Sequence, residues 1–167
     1  SVALDATGRL LAVGGRDRKI VVYNTQAEAE EVLFEAVHDD FIYDVSIAPG
    51  KVAAGGVDKM VKVYDLASKQ LAYSQRCSDD VWAVCLDESG RHLAVGGANN
   101  RVQIHDMLEG NEILNIPQPY AVLGIRLQRG GILAFCSGPT ATIYGVGTHW
   151  KEKPSFTVVQ KMFHIPE

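Results

Sequence analysis

The chain has 167 residues, 47% hydrophobic and 22% charged, a composition that folds rather than staying disordered. Sixteen basic residues stand against 20 acidic, a net charge of −4, which argues against holding nucleic acid or anionic lipid through bulk charge. No apolar run approaches about 18 residues, so no membrane span is expected, and the first residues lack the charged n-region of a signal peptide.

In chain order, alternating β-branched and apolar runs are separated by glycine-bearing or polar turns about every ten residues. This is a strand signature and not a helical one. Strands are predicted over 2–5, 10–15, 19–24 and 31–36, then over 42–48, 52–56, 60–65 and 70–75. The same order continues over 81–87, 92–97, 101–106 and 111–116, and again over 121–128, 132–137, 141–145 and 156–163. Only 27–34, rich in Ala and Glu, has helical composition, and it is taken as a loop entering a strand. Sixteen glycines against six prolines suit many short strands joined by tight turns.

The four sets are copies of one unit. Residues 13–24 (VGGRDRKIVVYN), 54–65 (AGGVDKMVKVYD) and 95–106 (VGGANNRVQIHD) superpose at a constant offset of 41, and 133–144 (LAFCSGPTATIY) is a degenerate fourth copy. A period of about 40–45 residues, four strands per repeat, belongs to propeller blades. The predicted blades are 1–37, 38–76, 77–117 and 118–167. A blade cannot bury both faces alone, so neighbours must stack, with the innermost strands apolar on both faces. The Gly-Gly pairs that end the second strands then mark a close approach between blades.

These residues resemble the WD-repeat family of β-propellers. His38 stands at the family's histidine position. Asp17 and Asp58 stand at its turn aspartate, with Asn99 in the third repeat. Tyr23-Asn24, Tyr64-Asp65 and His105-Asp106 replace the Trp-Asp pair. The family's tetrad of His, Ser or Thr, Asp and Trp is incomplete, because Val13, Ala54, Val95 and Phe135 occupy the hydroxyl position and Cys77 and Pro119 fall at or beside the histidine position. One link, His38 to Asp58, is expected to survive, and apolar packing is expected to hold the blades otherwise. WD-type rings usually have seven or eight blades. The resemblance therefore implies that four blades are part of a larger ring, completed by further blades or another chain; a closed four-bladed ring is the alternative.

Chemistry is not signalled. There is no G-x-S-x-G elbow, phosphate loop, H-E-x-x-H or calcium-loop spacing, so no catalytic residues, metal or cofactor are expected. Cys77, Cys85 and Cys136 lack disulfide or zinc spacing and suit small buried hydrophobes in a reducing, intracellular compartment. His92, His149 and His164 are isolated. Arg16, Arg18 and Lys19 are offset by Asp17, which gives no nucleic-acid stripe.

One feature stands out. Asp39, Asp40, Phe41 and Tyr43 precede and open the innermost strand of the second repeat, and Asp79, Asp80 and Trp82 recur in the third. In WD-type blades this connection lies at the channel mouth. Carboxylates interleaved with aromatics suit a basic peptide, by ion pairing and by cation–π and apolar anchoring. The same residues also suit a purely architectural role, aspartates forming turns and aromatics filling gaps. The functional expectation is a non-catalytic protein-interaction scaffold. Its alternatives are a structural subunit docking through blade edges, and an enzyme with a channel-mouth site.

Overall fold

The computed structural model describes residues 1–128 and 132–145, with the side chains of Tyr144 and Gly145 excepted. Its strands form four antiparallel sheets, each a meander in chain order. The first holds β1 (Val2–Leu4), β2 (Leu10–Gly14), β3 (Lys19–Asn24) and β4 (Val32–Val37). The second holds β5 (Ile42–Ala48), β6 (Lys51–Gly56), β7 (Met60–Asp65) and β8 (Gln70–Arg76). The third holds β9 (Val81–Leu86), β10 (His92–Gly97), β11 (Arg101–Asp106) and β12 (Asn111–Pro117). The fourth holds β13 (Val122–Gln128), β14 (Ile132–Ser137) and β15 (Thr140–Gly145). The strand expected over 156–163 lies outside the described residues. Residues 27–31 form turn and irregular backbone that enters β4, as the sequence suggested.

The core lies between sheets. Ala12, Ile20, Val22 and Phe34 of the first meet Ile42, Val45, Val52 and Ala54 of the second. Ala53, Val61 and Val63 of the second meet Val81, Val84, Leu86, Leu93 and Val95 of the third. Ala94, Val102, Ile104 and Leu114 of the third meet Val122, Ile125, Leu127, Leu133 and Phe135 of the fourth. Side chains alternate in a strand, so each central sheet feeds one cluster from each face, which is why its strands read as nearly continuous apolar runs.

The paired glycines do two different jobs. A Cβ on Gly14 would lie 2.5 Å from Val45 Cγ1 of the next sheet, and one on Gly96 would lie 2.5 Å from Val122 Cγ1. The second glycine of the second and third pairs clears backbone: a Cβ on Gly56 or Gly97 would overlap the carbonyl oxygen of Phe41 or Asp80 in its own repeat, whereas one on Gly15 would meet only Asp17 Oδ1 at 3.9 Å. The close approach expected between blades therefore belongs to the first glycine only.

The innermost strands also depart from the expectation of two apolar faces. β5 carries Asp44 and Ser46, which are half-buried and bonded across the seam. Asp44 Oδ2 accepts from Val84 N at 3.0 Å, and Ser46 Oγ accepts from Leu86 N at 2.9 Å. Innermost strands have one edge without a strand partner, and these side chains satisfy its N–H groups. Cys77 and Cys85 are buried and all three thiols are free; burial pushes the Cys77 thiol up to about 11, away from reactivity.

Candidate functional site at the mouth of the stacked sheets

Repeated turns build one end of the stack. Between the second and third strands, Asp17, Asp58 and Asn99 each accept the backbone N–H two residues ahead, at 3.2, 3.0 and 3.1 Å. This Asx geometry curls the chain so tightly that the following residue turns left-handed: Arg18, Lys59 and Asn100 have φ of 67°, 62° and 55°. Their carbonyls then accept from His38 N, Cys77 N and Gln118 N, each at 2.8 Å. Each turn thereby holds the connection entering the next innermost strand, and the turns and connections share one rim.

His38 anchors the second of these turns. Its ring is 1% exposed, and Nδ1 lies 2.8 Å from Asp58 Oδ2, the single tetrad link expected. Nε2 is buried without a partner, and Ala54 stands where the family carries a hydroxyl. Burial lowers the His38 pKa, opposed by the neighbouring Asp58 carboxylate.

Three innermost strands carry a bulge at the same place. In β5, Ile42 pairs with Gly56 and Asp44 with Gly55, so Tyr43 is extra. Trp82 is extra between Val81 and Ala83, and Leu123 between Val122 and Gly124. Bulges re-aim side chains, and these three leave the alternation of their strands at the rim. Tyr43 is 48% exposed, Leu123 is 55% exposed and Trp82 is half-buried.

The rim holds every residue predicted for the site, with a charge balance the sequence did not reveal. Lys59 Nζ lies 3.1 Å from Asp79 Oδ1, and this hydrogen bond holds the Asp79 carboxyl below its usual range. Lys62 Nζ lies 3.7 Å from Asp39 Oδ2. Asp40 Oδ1 accepts from Phe41 N at 2.8 Å, and the Arg16 guanidinium carbon sits 5.3 Å from the centroid of the Phe41 ring. The carboxylates are thus interleaved with cations as well as aromatics, and Asp79 and Asp39 are already paired.

Sequence reasoning missed Leu123 and Tyr120, the latter also exposed. A signal for Leu123 was present: core aliphatics three apart (Ile42/Val45, Val81/Val84, Val122/Ile125) break strict alternation and mark a bulge between them. At the opposite strand ends lies a pocket of about 230 Å³ lined by Lys51, Ala72, Tyr73, Arg91, Met107 and Leu108. Its cations are engaged: Lys51 with the Gly90 carbonyl at 2.7 Å, and Arg91 with Asp106 and Glu109. Among the described residues, no helix is long and apolar enough to cross a membrane.

The family model described as WD domain, G-beta repeat, matches residues 1–24 and 69–106. No curated protein matches the chain. The matched segments read as WD repeats, and the stacked antiparallel sheets, three of them sharing one turn geometry, have the architecture of a propeller segment of that type.

Proposed function

We propose that this chain is a non-catalytic interaction scaffold that holds a partner protein or peptide at the rim formed by the bulged strands. The WD-repeat fold supports the general role, because such domains typically mediate protein–protein interactions. The bulges carry the specific assignment: three blades in succession turn a large apolar side chain out of their strands at one place. Tyr43, Trp82 and Phe41 are the apolar anchors, and Leu123 extends the row. Asp39, Asp40, Asp79 and Asp80 give the rim its acidic groups, for a basic peptide whose Lys or Arg exchanges with Lys59 and Lys62. Exchange of the Lys59–Asp79 pair, exposed on both sides, costs little, since such a pair contributes about 0–1 kcal/mol. Each sheet with the connection leading into it forms one blade, over 1–37, 38–76, 77–117 and 118–167, in an intracellular protein.

A second observation favours completion by further blades or another chain. The outer face of the first sheet exposes Val2 (68%) and Leu4 (61%), whose equivalents in the second and third sheets are buried or half-buried.

The rim assignment is tested with an array of Lys- and Arg-containing peptides. Peptides bound by the native chain are expected to lose at least about tenfold in affinity with Trp82→Ala and with Asp79→Lys, a change of ~1.4 kcal/mol. Unchanged affinity in both variants refutes the site.

A further inference from the structure

The three seams between sheets share one steric key, and each adds a hydrogen bond at one or both of two further positions. Gly14, Gly55 and Gly96 hold one register position, each beneath an aliphatic pair of the next sheet: Ile42/Val45, Val81/Val84 and Val122/Ile125. A side chain there has no room. The hydrogen bonds run onto the free edge of the next innermost strand. Ser1 Oγ accepts from Val45 N at 3.4 Å and Asp44 Oδ2 from Val84 N at 3.0 Å. One step along, Ser46 Oγ accepts from Leu86 N at 2.9 Å and Cys85 Sγ from Leu127 N at 3.2 Å.

The outer face of the fourth sheet breaks both. Cys136 pairs with Gly124 and Ala141 as Gly96 pairs with Ala83 and Val102, so a thiol fills the socket position. Arg126, opposite Ala134, holds the position of Ser46 and Cys85. A guanidinium only donates, so it offers nothing to an incoming backbone N–H. Its Nη1 donates instead to its neighbour's carbonyl, Ile125 O, at 2.7 Å. The outer face of the first sheet carries the complementary half of the keys intact. Val2 holds the position of Val45, and Leu4 that of Leu86 and Leu127.

We propose that the first sheet packs against a sheet other than this chain's fourth, one with glycine at the position of Cys136 and, in place of the Arg126 guanidinium, a small residue or a hydrogen-bond acceptor, as Ala3, Ser46 and Cys85 are in the three seams. This rests on the reading that further blades join the chain. It adds what that blade must look like, and it means the four sheets neither close on themselves nor join head to tail with a second copy.

The experiment restores both keys on the fourth sheet with Cys136→Gly/Arg126→Ser and measures self-association by sedimentation velocity. The double variant is expected to associate at least about tenfold more tightly than the native chain, and Val2→Asp in the same variant is expected to reverse the gain. Equal association of native chain and variant overturns the proposal. If Val2→Asp changes nothing in either background, the first sheet is not a seam and the underlying reading falls with it. Circular dichroism checks folding. Should the double variant not fold, Arg126→Ser alone, an exposed change, is required to move association in the same direction.

Discussion

Replacing Gly14 by alanine tests whether the steric key governs the stacking of sheets. The added Cβ would lie 2.5 Å from Val45 Cγ1 and 2.8 Å from Ile42 Cγ2, where carbon–carbon contacts rest at about 3.5–4.0 Å. Val45 and Ile42 are both 4% exposed, so the excess of ~1 Å has nowhere to go. Overpacking of this kind costs about 1–3 kcal/mol, and the smaller entropy of the unfolded alanine chain returns ~0.5–1 of it. The expected net loss is about 1 kcal/mol, read as a lower midpoint in urea at unchanged slope. Val45→Ala alone loses about 2 kcal/mol through its missing methyls and the cavity they leave. Together the two fit each other, because the nearest clashing atom, Val45 Cγ1, is gone. The double variant is therefore expected to be more stable than the sum of the singles by about 1 kcal/mol. Additivity within experimental error refutes the reasoning, since it means the cost at Gly14 arises elsewhere than at the seam.

Two further outcomes are expected. Arg18 is exposed and left-handed, with only its carbonyl engaged across the seam, so Arg18→Gly relieves strain and raises stability by about 0.5–1 kcal/mol in urea denaturation; a lowered midpoint contradicts this. His38 and His105 are both buried with Nε2 unpartnered, and burial lowers both pKa values, opposed by Asp58 and Glu112 respectively. Below their ordinary value of 6.5 the unfolded chain binds protons that the folded chain resists, so stability falls as pH drops through that range, by up to ~1.4 kcal/mol per pH unit for each full proton. His105→Tyr, matching Tyr23 and Tyr64 of the other blades, is expected to reduce this slope between pH 7.5 and about 5.5; an unchanged slope excludes His105 as a source.

Most of the fold was legible because a repeated blade writes itself into the sequence four times. The turn aspartates were legible for the same reason: Asp17, Asp58 and Asn99 recur at one place in the repeat, and each accepts the N–H two residues on. The candidate rim was legible in its residues and not in its electrostatics. Asp79 is 20 residues from Lys59 in sequence, and Asp39 is 23 from Lys62, so neither pair shows in a local pattern. Leu123 was overlooked because a lone leucine in an apolar strand looks like core, and only the register shift between Val122 and Gly124 shows it displaced.

The sequence by itself determined an all-β fold of repeated antiparallel sheets, the limits of the described strands to within a residue, and the turn chemistry that aligns one end of the stack. These follow from local rules, namely alternation, glycine, and aspartate in turns, repeated at a fixed interval. The tertiary structure decided how the units meet. It separated the first glycine of each pair, which admits the next sheet's valine, from Gly56 and Gly97, which clear a carbonyl of their own repeat. It also showed Asp44, Ser46 and Cys85 spending their acceptors on a neighbouring strand about 40 residues away. Such contacts depend on register between separate sheets, and no local rule in a single chain encodes a distance across a seam.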